Sequence, residues 1–350
     1  MNIRANNALL DASERNNAMS LRADMRSGLA LPAICAPMML VSGPELVLAA
    51  CKAGLAGALP WHNARGIEQF SGWLRHIREE LGAWREINPA AKIGPVMVNI
   101  TLKRTAEELA EVVDLCIAHG IRHFITALGN PAEATKLIHD RGGIILHDVT
   151  SIRFAEKAIA SGVDGLICIG GGGGGHSGTL NPFAFIPAVR SIFDGVIVFA
   201  GCVSSGSAIR AAEVLGADLA YLGTRFIAAR EARAPDEWKA MLVSGNDADL
   251  TYSPAITGVH ANWLNASLKR ENIVIEDLPP ALPAYHHLPE DIRPWRDLWS
   301  AGQGINLIHD IPDVATLVAR LHQEYAAACH APDLFPDPAG STVQPQTVPA

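Results

Sequence analysis

Gly162-Val-Asp-Gly-Leu-Ile-Cys-Ile169 and Gly216-Ala-Asp-Leu-Ala-Tyr-Leu222 are the two stretches that decide the fold. Each reads as a glycine that stops a helix, then a turn, then a short apolar strand. Shorter versions begin at Gly54 and Gly120. Working outward from them, apolar runs recur at 33–36, 55–59, 96–100, 123–126, 144–147, 166–169, 196–200 and 219–222. Most are apolar at every position instead of alternating, as strands buried on both faces must be. Eight βα units point to a closed (β/α)8 TIM barrel, with a doubly wound open sheet as the structural alternative.

The segments between the runs carry helix signals. Thr105-Ala-Glu-Glu108 has the spacing of a capping box, and Leu109, Val112, Val113, Cys116 and Ile117 follow on one face. Phe154, Ala155, Ala158 and Ile159 form a second stripe, and a third helix over 205–215 is closed by Gly216. These features place the barrel at residues 25–230, after an N-terminal extension at 1–24. The rhythm fails over 231–310, where Trp238, Trp263, Trp295 and Trp299 suggest a smaller, mainly helical appended domain on the substrate side. Residues 311–331 read as a last amphipathic helix packing on the barrel, and the Pro-rich 332–350 as a disordered tail.

Composition narrows the function classes. The chain has 350 residues, 49% hydrophobic and 18% charged, which suits a large core. The formal net charge is -8 with no basic run, so nucleic acid is not expected as a partner. The polar N-terminus and the lack of a long clean apolar stretch argue against secretion or a membrane span, so a cytoplasmic protein is expected. The six cysteines form no CxxC pair, and no His/Asp/Glu set has metal-ligand spacing; His286-His287 reads as a loop pair.

Ligands of such barrels sit at the C-terminal ends of the strands. The sixth run is followed there by Gly170–Gly175 and then His176-Ser-Gly178. Glycines let the backbone approach a ligand closely and can present N–H groups to an anion. A histidine with an unperturbed pKa of ~6.5 can accept a proton at neutral pH. Taken alone the stretch reads equally as a permissive loop ending in a structural histidine; its place at a strand end favours a base. The seventh and eighth runs end in Ala-Gly-Cys202 and Leu-Gly-Thr224, which together suit a phosphate cradle. Pro37, Met38 and Asn99 stand where they can flank a flat ring. Ser177, His62, Asn63, Arg65, His260 and Asn262 are further pocket candidates, each as readily surface or turn residues.

These motifs resemble the nitronate monooxygenase family (2-nitropropane dioxygenases), whose barrel is shared by FMN-dependent enoyl-acyl carrier protein reductases. The matching pieces are Ala36–Met38, Val98–Asn99, Gly174–Gly178, Ala200–Cys202 and Gly216–Phe226, in family order, with Ala301-Gly-Gln-Gly304 as a further element. The resemblance implies noncovalent FMN, with Pro37, Met38 and Asn99 at the ring. It assigns Gly175, Gly201, Cys202, Gly223 and Thr224 to the ribityl phosphate, and His176 to the catalytic histidine. Gln303 joins Ser177, Asn63 and His260 as a substrate-side candidate. Three departures stand out. Cys202 replaces the second glycine of an Ala-Gly-Gly turn, Asp148 stands where some members carry a lysine near the flavin, and the run before His176 is all glycine. Asp148 is therefore counted in the cofactor set with a changed local field.

The implied activity is oxidation of alkyl nitronates with dioxygen, His176 acting as base. The alternative is NAD(P)H-dependent reduction, or the reverse dehydrogenation, of a C=C bond conjugated to a carbonyl in an enone or enoyl thioester. A flavin-binding scaffold without turnover is a third class, and it leaves the base unexplained. The partners are then a small-molecule substrate and dioxygen or NAD(P)H, and the chain is compatible with a homodimer.

Overall fold

The computed structural model describes residue 23 and residues 25–279 and 288–330. Apart from residue 23, the N-terminal extension lies outside the described residues, as do the His286-His287 pair and the Pro-rich tail. Eight strands close into a parallel barrel in sequence order: β1 Ala33–Cys35, β2 Ala56–Pro60, β3 Val96–Thr101, β4 His123–Ala127, β5 Ile144–Val149, β6 Gly165–Ile169, β7 Val196–Ala200 and β8 Leu219–Leu222. β8 pairs back onto β1, with Ile34 opposite Tyr221, so the open-sheet alternative is excluded. The helices that follow the strands are α1 Pro44–Lys52, α2 Ile67–Ile87, α3 Ala106–Ala118, α4 Ala132–His139, α5 Ile152–Ala160, α6 Pro182–Arg190, α7 Gly206–Val214 and the short α8 Thr224–Ile227.

The repeat that marks the fold has a physical cause. The Asp164 carboxylate accepts from the Ile145 backbone N–H at 2.8 Å, and Asp164 N–H donates back to the Ile145 carbonyl. Asp218 does the same to Ile197, accepting at 2.9 Å. Each Gly-x-Asp unit thus ends a helix and ties the incoming strand to its predecessor. Gly162 and Gly216 take φ of 77° and 103°, the left-handed geometry that stops the helix.

Thr105 and Glu108 form the reciprocal capping box that their spacing implies. The stripe on α5 is narrower than expected. Ala155 and Ala158 are buried, whereas Phe154 is 51% exposed, because the short α5 turns only its small residues to the strands.

Inside the barrel Ile34, Met97, Ile125, Leu146, Ile167, Val198 and Leu219 form an apolar filling. Two residues further on the same faces, Met97 gives way to Asn99, Leu146 to Asp148 and Leu219 to Tyr221. The interior is therefore apolar below and polar at the C-terminal rim.

Residues 231–310 hold α9 Asp236–Ser244 and α10 Asn265–Arg270. They also hold an antiparallel pair, β9 Leu250–Ser253 and β10 Ala261–Leu264, that the sequence reading did not contain. Ile256, Ala261, Trp263, Leu268, Ile292 and Leu298 form a small core of their own. Trp238, Leu242, Trp299 and Ile305 instead join the main core. The last helix, α11 Val314–Cys329, is capped by Asp313 and packs chiefly on α7. Its buried Val314, Leu317, Val318 and Leu321 contribute about 1.5–3 kcal/mol each if fully buried.

Candidate active site

A cavity of about 330 Å³ opens at the C-terminal rim of the barrel. That size is typical of a small-molecule or cofactor site. Its floor holds Asn99, Asp148 and Tyr221, polar residues on the inward faces of β3, β5 and β8. Asp148 Oδ1 is buried and has no hydrogen-bond partner among the described residues. Burial pushes its carboxyl up to about 7. The Tyr221 hydroxyl is likewise raised, first by burial and then by the Asp148 charge. The floor thus offers an unused polar group to whatever fills the cavity.

The glycine run is an ordered wall of this cavity. Gly171 N–H donates to the Leu180 carbonyl, and the Gly172 carbonyl accepts from Gln303 N–H at 2.9 Å. The Gly173 carbonyl accepts from Asn262 Nδ2 at 2.7 Å, and Gly174 from Asn262 N–H at 3.3 Å. Side chains are excluded here by contact. A Cβ at Gly172 would lie 2.2 Å from Cys202 Sγ, and one at Gly174 would lie 2.9 Å from Gly302 N. Three segments converge through these glycines: the loop after β6, the ends of β7 and β8, and Ala301–Gly304. Thr224 Oγ1 accepts from Gly302 N–H at 2.8 Å, which leaves its own hydrogen for a ligand.

His176 is half-buried at the end of this wall. Burial, with a smaller effect from the nearby Lys103 cation, lowers its pKa, so the ring is neutral at pH 7. Nε2 lies 3.1 Å from Thr257 Oγ1. Trp295 meets the imidazole edge to face, with centroids 5.5 Å apart, and itself stacks on Trp263 at 4.6 Å.

Pro37, Met38, Asn99, Asp148, Gly175, His176, Gly201, Cys202, Gly223 and Thr224 all line the one cavity. The four substrate-side candidates do not. Asn63 braces the loop after β1, donating to the Met38 and Ser42 carbonyls at 2.9 and 2.8 Å and accepting from Leu40 N–H. Ser177 is buried, its hydroxyl 3.4 Å from the Tyr252 hydroxyl. The His260 ring stacks on Tyr252, and Gln303 serves through its backbone.

The lining also includes His62, a pocket candidate of the sequence reading, and Met39, Leu128, Tyr221, Trp238 and Trp295, which that reading did not assign to the cofactor or substrate set. Tyr221 was within reach, since it ends an assigned strand on its inward face. Leu128 and Trp295 were not, because their φ values of 60° and 68° turn them toward the cavity against the usual preference of such residues. Three of the five non-glycine residues with positive φ among the described residues, Leu128, Cys202 and Trp295, line this cavity. Backbone strain of that kind collects at ligand sites.

The site can hold a flat polar ring above the floor and an anion against the glycine wall, with a neutral imidazole beside them. The chain is 27% identical over 241 residues to a 5-hydroxy-7a-methyl-1-oxo-octahydro-1H-indene-4-carboxyl-CoA dehydrogenase of Rhodococcus jostii, covering 69% of this chain and 64% of that enzyme. It therefore spans less than two thirds of that relative's own length. It is 26% identical over 277 residues to a nitronate monooxygenase of Paraburkholderia phytofirmans, covering 66% of this chain and 72% of the other. Nitroalkane oxidase from Streptomyces ansochromogenes shares the fold, with a TM-score of 0.67 at 24% identity over 87% of this chain and 99% of its own. The sequence profile of the nitronate monooxygenase family matches residues 77–324, so the chain belongs to the nitronate monooxygenase family, a family of oxidoreductases.

Proposed function

We propose that the protein is an FMN-dependent oxidoreductase that oxidises alkyl nitronates with dioxygen. The observation that carries this reading is the convergence on one cavity of a polar floor, a glycine wall and a neutral histidine. The residues present fit FMN. The orphaned Asp148 Oδ1, with Asn99 and Tyr221, suits the polar edge of its ring system. Gly175, Gly201, Cys202, Gly223 and Thr224 suit its phosphate, and Pro37 and Met38 flank the ring space. When bound, FMN supplies the electron-accepting chemistry that no side chain has.

The protein's own part is then positional and acid–base. His176, held neutral, takes the proton from the carbon next to the nitro group of a neutral nitroalkane, and the electron pair left behind forms the nitronate. A nitronate supplied as the anion needs no such step. Trp295 rests against the imidazole and Leu128 lines the same cavity, apolar surfaces that restrict water there.

A second reading, dehydrogenation or NAD(P)H-dependent reduction of a C=C bond conjugated to a carbonyl in an enone or acyl thioester, is favoured by one feature. The cavity includes the apolar Met39 and Leu128, which are 45% and 41% exposed, a surface suited to an acyl body. The carboxyl-CoA dehydrogenase relative points the same way. One anaerobic experiment separates the two: the FMN-loaded protein is mixed with propionate 3-nitronate or with NAD(P)H. Bleaching of the 450-nm band by the nitronate alone supports the first reading. Bleaching by NAD(P)H alone overturns it in favour of the second.

A further inference from the structure

The Thr257 hydroxyl has a single hydrogen, and the structure shows where it goes. Thr257 Oγ1 donates to the Val259 carbonyl at 3.1 Å. A carbonyl can only accept, so a hydroxyl turned the other way would face that oxygen with a lone pair at the same separation. Toward His176, 3.1 Å away, Oγ1 is therefore left as an acceptor. The imidazole nitrogen that meets it, Nε2, must carry the hydrogen. In a neutral ring the other nitrogen, Nδ1, then holds the lone pair. Nδ1 makes no hydrogen bond with a described residue.

The surroundings hold this arrangement in place. Thr257 lies in the turn between β9 and β10, outside the barrel that carries His176. The same hairpin grips the histidine loop at several points. The His260 carbonyl accepts from Ser177 N–H at 2.9 Å, Tyr252 donates to the Gly178 carbonyl at 2.7 Å, and Asn262 holds Gly173 and Gly174. Trp295, turned inward at a φ of 68°, rests edge to face on the imidazole.

We propose that Thr257 is the positioning residue of the active site, fixing His176 as the Nε2–H tautomer so that Nδ1 is the nitrogen that receives the substrate proton. In that step the substrate C–H bond breaks, its electron pair stays on the substrate as the nitronate, and the proton forms an N–H bond at Nδ1. The proposal rests on His176 acting as base, and its test separates the two claims.

The FMN-loaded wild type, Thr257→Val and Thr257→Ser proteins are labelled with 15N-histidine, and the two ring nitrogens of His176 are read by NMR. A His176→Asn sample assigns the signals. The wild type and Thr257→Ser should show a protonated Nε2 and an unprotonated Nδ1, and Thr257→Val a mixture. A wild-type ring protonated at Nδ1, or a Thr257→Val ring unchanged from wild type, overturns the proposal whatever His176 does in turnover. Kinetics give the second readout. Thr257→Val should lower kcat with neutral nitroethane about twofold, the fall in the Nε2–H fraction when the roughly tenfold preference supported by one net hydrogen bond is lost. It should leave kcat with preformed ethyl nitronate unchanged, and Thr257→Ser should restore the nitroethane rate. Equal losses on both substrates would mean a merely structural role and overturn the proposal. Should His176→Asn keep full nitroethane activity, the base assignment falls, while the tautomer measurement still decides what Thr257 does.

Discussion

Asp148 is held near 7 because its carboxyl is buried with one oxygen unpartnered. Its unfolded value is ~3.9, so the folded state binds that proton more tightly. Stability linked to it is complete below about pH 4 and is lost as pH rises through about 7. The FMN-free protein should therefore show a thermal midpoint that falls between about pH 4 and pH 7, and Asp148→Asn should flatten that fall. A parallel fall in both proteins would show that other groups cause it. His176 gives a second residue-scale prediction. His176→Asn should lower kcat on neutral nitroethane by about 10²–10⁴-fold, the range for losing a general base. Flavin content should be unchanged, since the histidine stands at the end of the glycine wall and not within its phosphate side.

At the scale of elements, the strands are joined by carboxylates as well as by their ladders. Asp218 is buried, accepts from Ile197 N–H at 2.9 Å and pairs with Arg190 at 2.5 Å. Asp218→Ala strands a buried N–H on β7, a loss of roughly 1–3 kcal/mol. Asp218→Asn keeps an acceptor and should lose less. Denaturant midpoints of the two variants test the order. The same Asp recurs as Asp164 before β6, so the repeat visible in the sequence is a repeat of a strand tie. The Thr105 cap was equally legible, and Ser151, Ser205 and Asp313 cap their helices with side chains in the same way. Such caps are local, made within three residues, and so they are written in the sequence. The β9–β10 hairpin was not legible. Its outward pattern is broken by Trp263 and Asn262, both buried, because those residues pack on a neighbouring turn and on the glycine loop.

At the scale of the whole molecule, the appended segment completes the lining of the cavity that the barrel begins. Asn262 reaches from β10 to the Gly173 carbonyl at 2.7 Å, a bond buried between the two parts. Asn262→Ala should loosen the glycine wall and raise the FMN dissociation constant about tenfold, the worth of one net hydrogen bond. Fluorescence titration of the stripped protein measures it, and an unchanged constant would mean the clamp plays no part in cofactor affinity. Gly206 makes a second long-range joint. A Cβ there would lie 2.0 Å from the Leu321 carbonyl, so only glycine allows α11 to cross α7 this closely.

Local patterns in the chain determined the barrel and the order of its strands, because strand period, helix stops and caps are set by interactions a few residues long. The ten residues that gather at its rim were named through the family resemblance of the strand-end motifs, and the structure brings them to one cavity. Tertiary structure decided what those residues do together. It made Asn63 a brace of the loop after β1 and put Ser177, His260 and Gln303 behind the glycine wall, because their partners lie on other segments. It raised Asp148 to about 7 by burying it, and it brought Thr257 from 81 residues away to the His176 ring. Burial and cross-segment hydrogen bonds depend on where the chain returns, and no local pattern in this sequence encodes that.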